Sequence, residues 1–492
     1  MSGHRGRSNT GARDRYGEST PSVGFEAIAR CDTRLVGSWR RLAGLAAVAM
    51  LAVGVARADA STPPVLVKDI NPGALGGMND TITPAARLAY FVAFDPAHGR
   101  ELWASDGTES GTRLVKDINP GPVRSIGANQ DLQRVAIGSE LYFVAIDGVH
   151  GAEVWKTDGS EAGTTMVTDL TNGVPRDLTG IGPELYFSAQ GPEGRELWRS
   201  NGTAAGTQVV KGANGGARNP EGLRAVGREL YFSANDGVHG RELWKSDGTA
   251  AGTRMVKDIF HGSRGSDPSD LIAYRHQVYF AAEGPGNGDE LRVSNGTARG
   301  TRLVKDIRNG PGSGLSKFSS VLTVAGHTLY FIATTPRQGR ELWASTGTPG
   351  TTRLVSDIAP GKAGSDPAAL TAFKGRLAFD ADDGIHGREL WITNGSRRGT
   401  RRVTDIRPGS GGGLRASNVA SLGGDLYFQA NDGTSGAELW RSDGTPTGTS
   451  QVADINAGPR SSYPGPFGVL GRVLLFSADD GIRGRELWRL TN

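Results

Sequence analysis

The chain has 492 residues, 74 of them Gly, and a formal net charge of +4. Residues 1–60 hold nine Arg against five acidic residues, so the remainder is balanced and offers no net electrostatic attraction for nucleic acid. The single cysteine, Cys31, lies in the same segment, which excludes thiol catalysis, disulfides and cysteine metal sites from the rest.

Residues 1–35 are polar and Arg-rich, without periodicity. Arg40-Arg41, an apolar run over residues 42–55 and then Ala58-Asp59-Ala60 follow. A charged flank, a short apolar core and a small-x-small site predict a secretory signal peptide cleaved after Ala60. The run is too short to span a bilayer. The expected product is exported (periplasmic, cell-surface or secreted), has no membrane span, and folds as one domain over residues 61–492.

From Val65 onward one pattern recurs. A Glu anchors it at Glu101, Glu153, Glu196, Glu242, Glu290, Glu341, Glu389, Glu438 and Glu486, nine copies spaced by 43 to 52 residues. Eight carry a Trp two residues later: Trp103, Trp155, Trp198, Trp244, Trp343, Trp391, Trp440 and Trp488. Arg292 replaces it in the fifth copy, and the remaining Trp, Trp39, lies outside the array. A period near fifty residues means a repeat architecture in which each unit buries its faces against its neighbours.

One unit reads as four short strands. In the fourth copy these are residues 223–226, 229–234, 241–246 and 253–259, rich in aromatic and β-branched residues and bounded by Gly, Asp or Asn. Asn235-Asp236-Gly237 and Asp247-Gly248-Thr249 are tight antiparallel reversals. Four antiparallel strands per unit predict an all-β propeller. The array opens with a lone fourth strand at 65–70 and ends with a third strand at 485–490. Pairing the two completes a ninth blade and leaves no sheet edge; an open, strongly curved array of the same units is the alternative.

On Glu242-Leu243-Trp244-Lys245-Ser246-Asp247-Gly248-Thr249 and its copies, residues 65–490 resemble the ELWxxDGT repeat family of bacterial secreted proteins. The resemblance implies tandem β-blades and export, and brings no activity with it. The chain departs from the pattern at Arg292, at Thr346 in place of Asp, and at Gly212 where other fourth strands have Asp. Those departures mark blades where the ring is locally specialised.

A carboxylate repeated nine times is not how catalysis uses one or two placed groups. Glu and Trp share one face of the third strand, and a Glu beside a packed Trp needs partners. The adjacent Arg, the Lys and Asp of the fourth strand and turn amides are the candidates. The Asp-Gly-Thr turns read as self-bonded turns, with calcium ligation as the alternative. His98, His150, His239 and His386 share a Gly-rich turn position and cannot converge on one metal around a ring. No catalytic residue is assigned.

Function is expected in the loops from each fourth strand into the next blade. Asp267 and Asp366, each in Gly-Ser-Asp-Pro, are candidate ligand contacts there. The expected function is a non-enzymatic, cofactor-free binding or structural scaffold, a monomer, contacting protein or polysaccharide at the cell envelope. The alternative is a hydrolase or lyase with a loop-borne, calcium-assisted site at one mouth of the ring.

Overall fold

In the computed structural model every strand of the repeat array finds the partner that its place in the unit requires. The structure describes residues 62–491 apart from 74, 79, 128–132, 171–172, 211–215 and 317–320, and for 415–418 the backbone alone. The chain separates into residues 1–58 and 59–492, and the described residues belong to the second unit. The predicted leader, Cys31, Trp39 and Gly212 lie outside them.

Nine four-stranded antiparallel sheets form a ring, the arrangement of a nine-bladed β-propeller. Blades 1 to 8 span residues 83–114, 134–166, 176–209, 218–257, 269–305, 323–354, 368–402 and 414–453. Blade 9 takes three strands from residues 467–491, and its outermost strand is Val65–Lys68. That strand pairs with Arg485–Thr491, Val65 opposite Arg489 and Leu66 opposite Trp488. The two ends of the array close the ring, and the open alternative is excluded.

The blades interlock through nine buried clusters, each drawn from two neighbouring blades. The third strand drives this by alternation. Trp244 packs backward onto Tyr186 and Leu197 of blade 3, while Leu243 packs forward onto Val278 and Phe280 of blade 5. Trp103 does the same onto Leu475 and Leu487 across the closure.

The Asp-Gly-Thr turn adds a polar clasp. Asp247 Oδ1 accepts from Thr249 N (2.9 Å) and Thr249 Oγ1 (2.7 Å), and Thr249 Oγ1 accepts from Gly252 N at 3.0 Å. The carbonyl of Gly248 then accepts from Arg199 of blade 3 at 3.2 Å. Gly248 has φ +87°, and a Cβ there would stand 2.3 Å from the Tyr186 hydroxyl oxygen. Arg489 closes the ring by the same device, donating to Gly107 O at 2.7 Å.

Strand limits shift for local reasons. The first strand of blade 4 runs from Arg218 to Val226, longer than expected, because bulges let it start early. Its fourth strand is shorter, Arg254–Lys257, because the backbone then turns to present Phe260 N to Glu242.

Candidate functional site

Antiparallel alternation sorts the loops. The second-to-third hairpins and the connections into the next blade share one face of the ring, and the first-to-second hairpins and Asp-Gly-Thr turns share the other. We call these the loop face and the turn face. First strands of successive blades contact one another and form the inner wall.

The repeated Glu are structural anchors. Glu101, Glu153, Glu242, Glu290, Glu341, Glu389, Glu438 and Glu486 are at most 1% exposed. Each stands opposite an Ala, as Glu242 does Ala234, which leaves room for the carboxylate. Their partners are loop amides and hydroxyls rather than the neighbouring Arg. Glu290 accepts from Ile307, Arg308 and Gly314 N at 3.1, 3.1 and 2.9 Å. Glu486 accepts from Ile70 and Asn71 N, tying the closing strand. Burial outweighs these bonds and pushes Glu101, Glu290 and Glu389 up to about 7. The Trp are structural too. Trp103, Trp155, Trp244 and Trp343 are buried, and Trp198, Trp391, Trp440 and Trp488 are half-buried against the same interfaces. In blade 5, Arg292 fills the Trp place and donates from Nε to Ala282 O at 3.1 Å, as the Trp391 indole does to Ala381 O.

The four histidines sit at hairpin tips of separate blades. In each, Nδ1 meets the Asp three residues before it, at 2.6 Å for His150–Asp147 and His239–Asp236. Hydrogen bonding to those carboxylates raises both histidines.

Blade 3 departs from this regularity. Glu196 is half-buried, and among the described residues its bonding partner is Glu193 N at 3.3 Å. Beside it the loop face opens a cleft of about 480 Å³ along the first strands of blades 3, 4 and 5, a size that suits a small ligand or a few sugar units. Arg176, Asp177, Arg195, Glu221, Arg224, Arg241, Asp267 and Asp270 line it. Asp177 and Asp270 sit at bulges with φ +56° and +53°, a conformation that Asp tolerates, and the bulges redirect the side chains.

Several of these charges are committed to one another. Arg241 pairs with Glu221 at 3.0 Å and Asp267 at 3.6 Å. Arg195 donates to Ser188 O (2.9 Å), Ser188 Oγ (3.2 Å) and Val174 O (3.0 Å). Burial raises the Asp177 carboxyl, against a hydrogen bond from the Gly222 backbone and the attraction of Arg195 and Arg176. Arg224 Nε donates across to Leu271 O of blade 5 at 2.9 Å. Arg176 and Arg224 are exposed.

Of the two loop aspartates, Asp267 lines the cleft and Asp366 does not. Asp366 is held by Arg340 at 2.7 Å and Arg388 at 3.5 Å between blades 6 and 7. Sequence reasoning missed Asp177, Glu221, Arg176 and Arg224, which belong to no repeated motif. A shallower hollow of about 650 Å³ on the turn face is lined by Glu140, Asp158 and Asn201. These groups are already used, by Lys156, Ser160 and Thr203. Among the described residues no group of three or more His, Asp or Glu is arranged to hold a metal, and no helix is long and apolar enough to cross a membrane.

No family model and no curated protein matches the chain. Solved structures do. A computationally designed protein, Ika8, aligns with TM-score 0.42 and 14% identity over 73% of this chain and 95% of its own. A puromycin hydrolase aligns with TM-score 0.40 and 13% identity over 85% of this chain and 61% of its own. Structures described as prolyl endopeptidases align with TM-score 0.42 and 10% identity, over 74% of this chain and 54% of theirs. The chain thus spans little more than half of those two enzymes, and the likeness carries no functional conclusion.

Proposed function

We propose that the protein is an exported ELWxxDGT-repeat scaffold, a monomer, that binds polysaccharide or protein at the cell envelope through its loop face. One observation carries the reading. The repeated Glu and Asp-Gly-Thr carboxylates are consumed by the fold, while charged groups from three blades gather at the blade 3–5 cleft, with Arg176, Glu221 and Arg224 exposed. Such a site recognises without a placed nucleophile, and no cofactor is part of it.

A hydrolase or lyase is the second reading, favoured by Asp177. A carboxyl raised by burial in a cleft, near a second carboxylate at Glu221, suits proton transfer. Co-sedimentation of the full chain with insoluble envelope polysaccharide, followed by assay of the supernatant for new sugar ends, separates the two. Binding without product supports the scaffold. Steady product release that Asp177→Asn abolishes would replace it with the enzyme. Failure to bind either polysaccharide or envelope protein refutes both.

A further inference from the structure

The cleft's chemistry narrows its ligand, on the reading that the loop face binds. We infer that the blade 3–5 cleft takes an anionic glycan, its carboxylate or sulfate held between Arg176 and Arg224. The first reason is composition. The lining includes four arginines, and its apolar members are Leu223, Pro268 and Leu271, with no aromatic side chain. Protein interfaces are centred on buried aromatic anchors, so a hydrophilic ligand fits better than a peptide.

The second reason is which charges are left over. Arg241 is spent on Glu221 and Asp267, and Arg195 on the carbonyls of Ser188 and Val174. Arg176 on blade 3 is exposed and makes no ion pair within 4 Å with a described side chain. Arg224 on blade 4 lines the cleft, is exposed, and donates to Leu271 O through Nε, which leaves its terminal nitrogens for a ligand. A planar guanidinium presents paired donors that match a carboxylate or sulfate. The Asp177 carboxyl lies among these arginines and shares the cleft with Asp270, so an incoming anion meets the arginines with these carboxylates beside them.

The test is titration calorimetry of the full chain with an oligogalacturonate, a sulfated oligosaccharide and a neutral cello-oligosaccharide of equal length. At least one anionic ligand should bind tenfold or more tightly than the neutral one, with affinity falling as salt rises. Comparing the uronate with the sulfate identifies the charged group. Arg176→Ala/Arg224→Ala should lose tenfold or more, while Arg228→Ala, on the exposed turn face, should lose nothing. Both targets are exposed, and an unchanged unfolding midpoint verifies that the double variant is folded. Equal binding of neutral and anionic glycans, or full binding by the double variant, overturns the inference and leaves the scaffold reading standing. Binding of none overturns it together with the polysaccharide half of that reading; preferential binding of an acidic peptide overturns it in favour of the protein half.

Discussion

Ser266 Oγ donates to Glu242 Oε2 at 2.6 Å and Ser266 N to Oε1 at 3.0 Å, joining residues 24 apart into one buried knot. The same Glu–Ser pair recurs as Glu101–Ser125, Glu341–Ser365 and Glu438–Ser462. The Glu organises the loop that leads into the next blade. Glu242→Ala strands the half-buried amide of Phe260 and the buried hydroxyl of Ser266, each worth about 1–3 kcal/mol when unsatisfied, while Ser266 N keeps its second acceptor, Arg241 O at 2.9 Å. Urea unfolding should register a loss of about 2–5 kcal/mol. Ser266→Ala, which removes the hydroxyl and keeps the amide, should cost about 1 kcal/mol.

Trp244 is 3% exposed between blades 3 and 4. Its truncation to Ala should cost about 3–5 kcal/mol in the same assay. A neutral result would mean that the blades are not packed through this side chain.

Acidification from neutrality should stabilise the ring. Burial raises the anchoring Glu, to about 7 at Glu101, Glu290 and Glu389 and about 6 at Glu486, from an unfolded value of 4.5. A raised folded pKa contributes stability that is complete below 4.5 and lost as pH climbs through 6–7. His150 and His239, also raised, act in the same direction. Asp147 opposes them at low pH. The His150 and Val149 amides and the His150 ring overcome its burial and hold it near 2, so its contribution is present above 3.8 and lost as pH falls toward 2. The unfolding midpoint should rise from pH 7.5 to pH 5 and drop below about pH 3. A midpoint that falls steadily from pH 7.5 to 5 contradicts the burial of these carboxylates.

Calcium added after chelation should leave that midpoint unchanged. The Asp106, Asp247 and Asp443 carboxylates already accept from the Thr two residues on, which holds all three below the usual range. A native-state ligand would raise the midpoint in proportion to RT ln(1 + [L]/Kd), and a clear rise would return the turns to the list of metal sites.

The closing strand gives a further expectation. Deleting residues 62–70 exposes the edge of Arg485–Thr491 and removes the amides of Ile70 and Asn71 from Glu486. The shortened chain should unfold at lower temperature and self-associate through the open edge, which light scattering would detect.

The ring was legible in the sequence because the same few interactions are written nine times. Glu, Trp and the Asp-Gly-Thr turn repeat in register, and the unpaired strands at the two ends point to each other. The Glu partners were less legible, because the amides of residues 17 and 24 positions onward have no side-chain signature. The cleft is built from what does not repeat. Asp177 and Asp270 owe their directions to bulges with positive φ, and Arg176 and Arg224 lie on first strands, the least regular of the four. Asp267 and Asp366 share a motif yet differ in surroundings, since Arg388 reaches Asp366 while the equivalent place in blade 5 is Asp289.

Hydrogen–deuterium exchange of the full chain, with and without saturating oligogalacturonate, tests most directly where this propeller binds. Recognition at the blade 3–5 cleft predicts added protection at residues 176–179, 218–224 and 267–271, with the Asp-Gly-Thr turns unchanged. Protection confined to the turn face, or none at ligand concentrations that saturate binding, would contradict it.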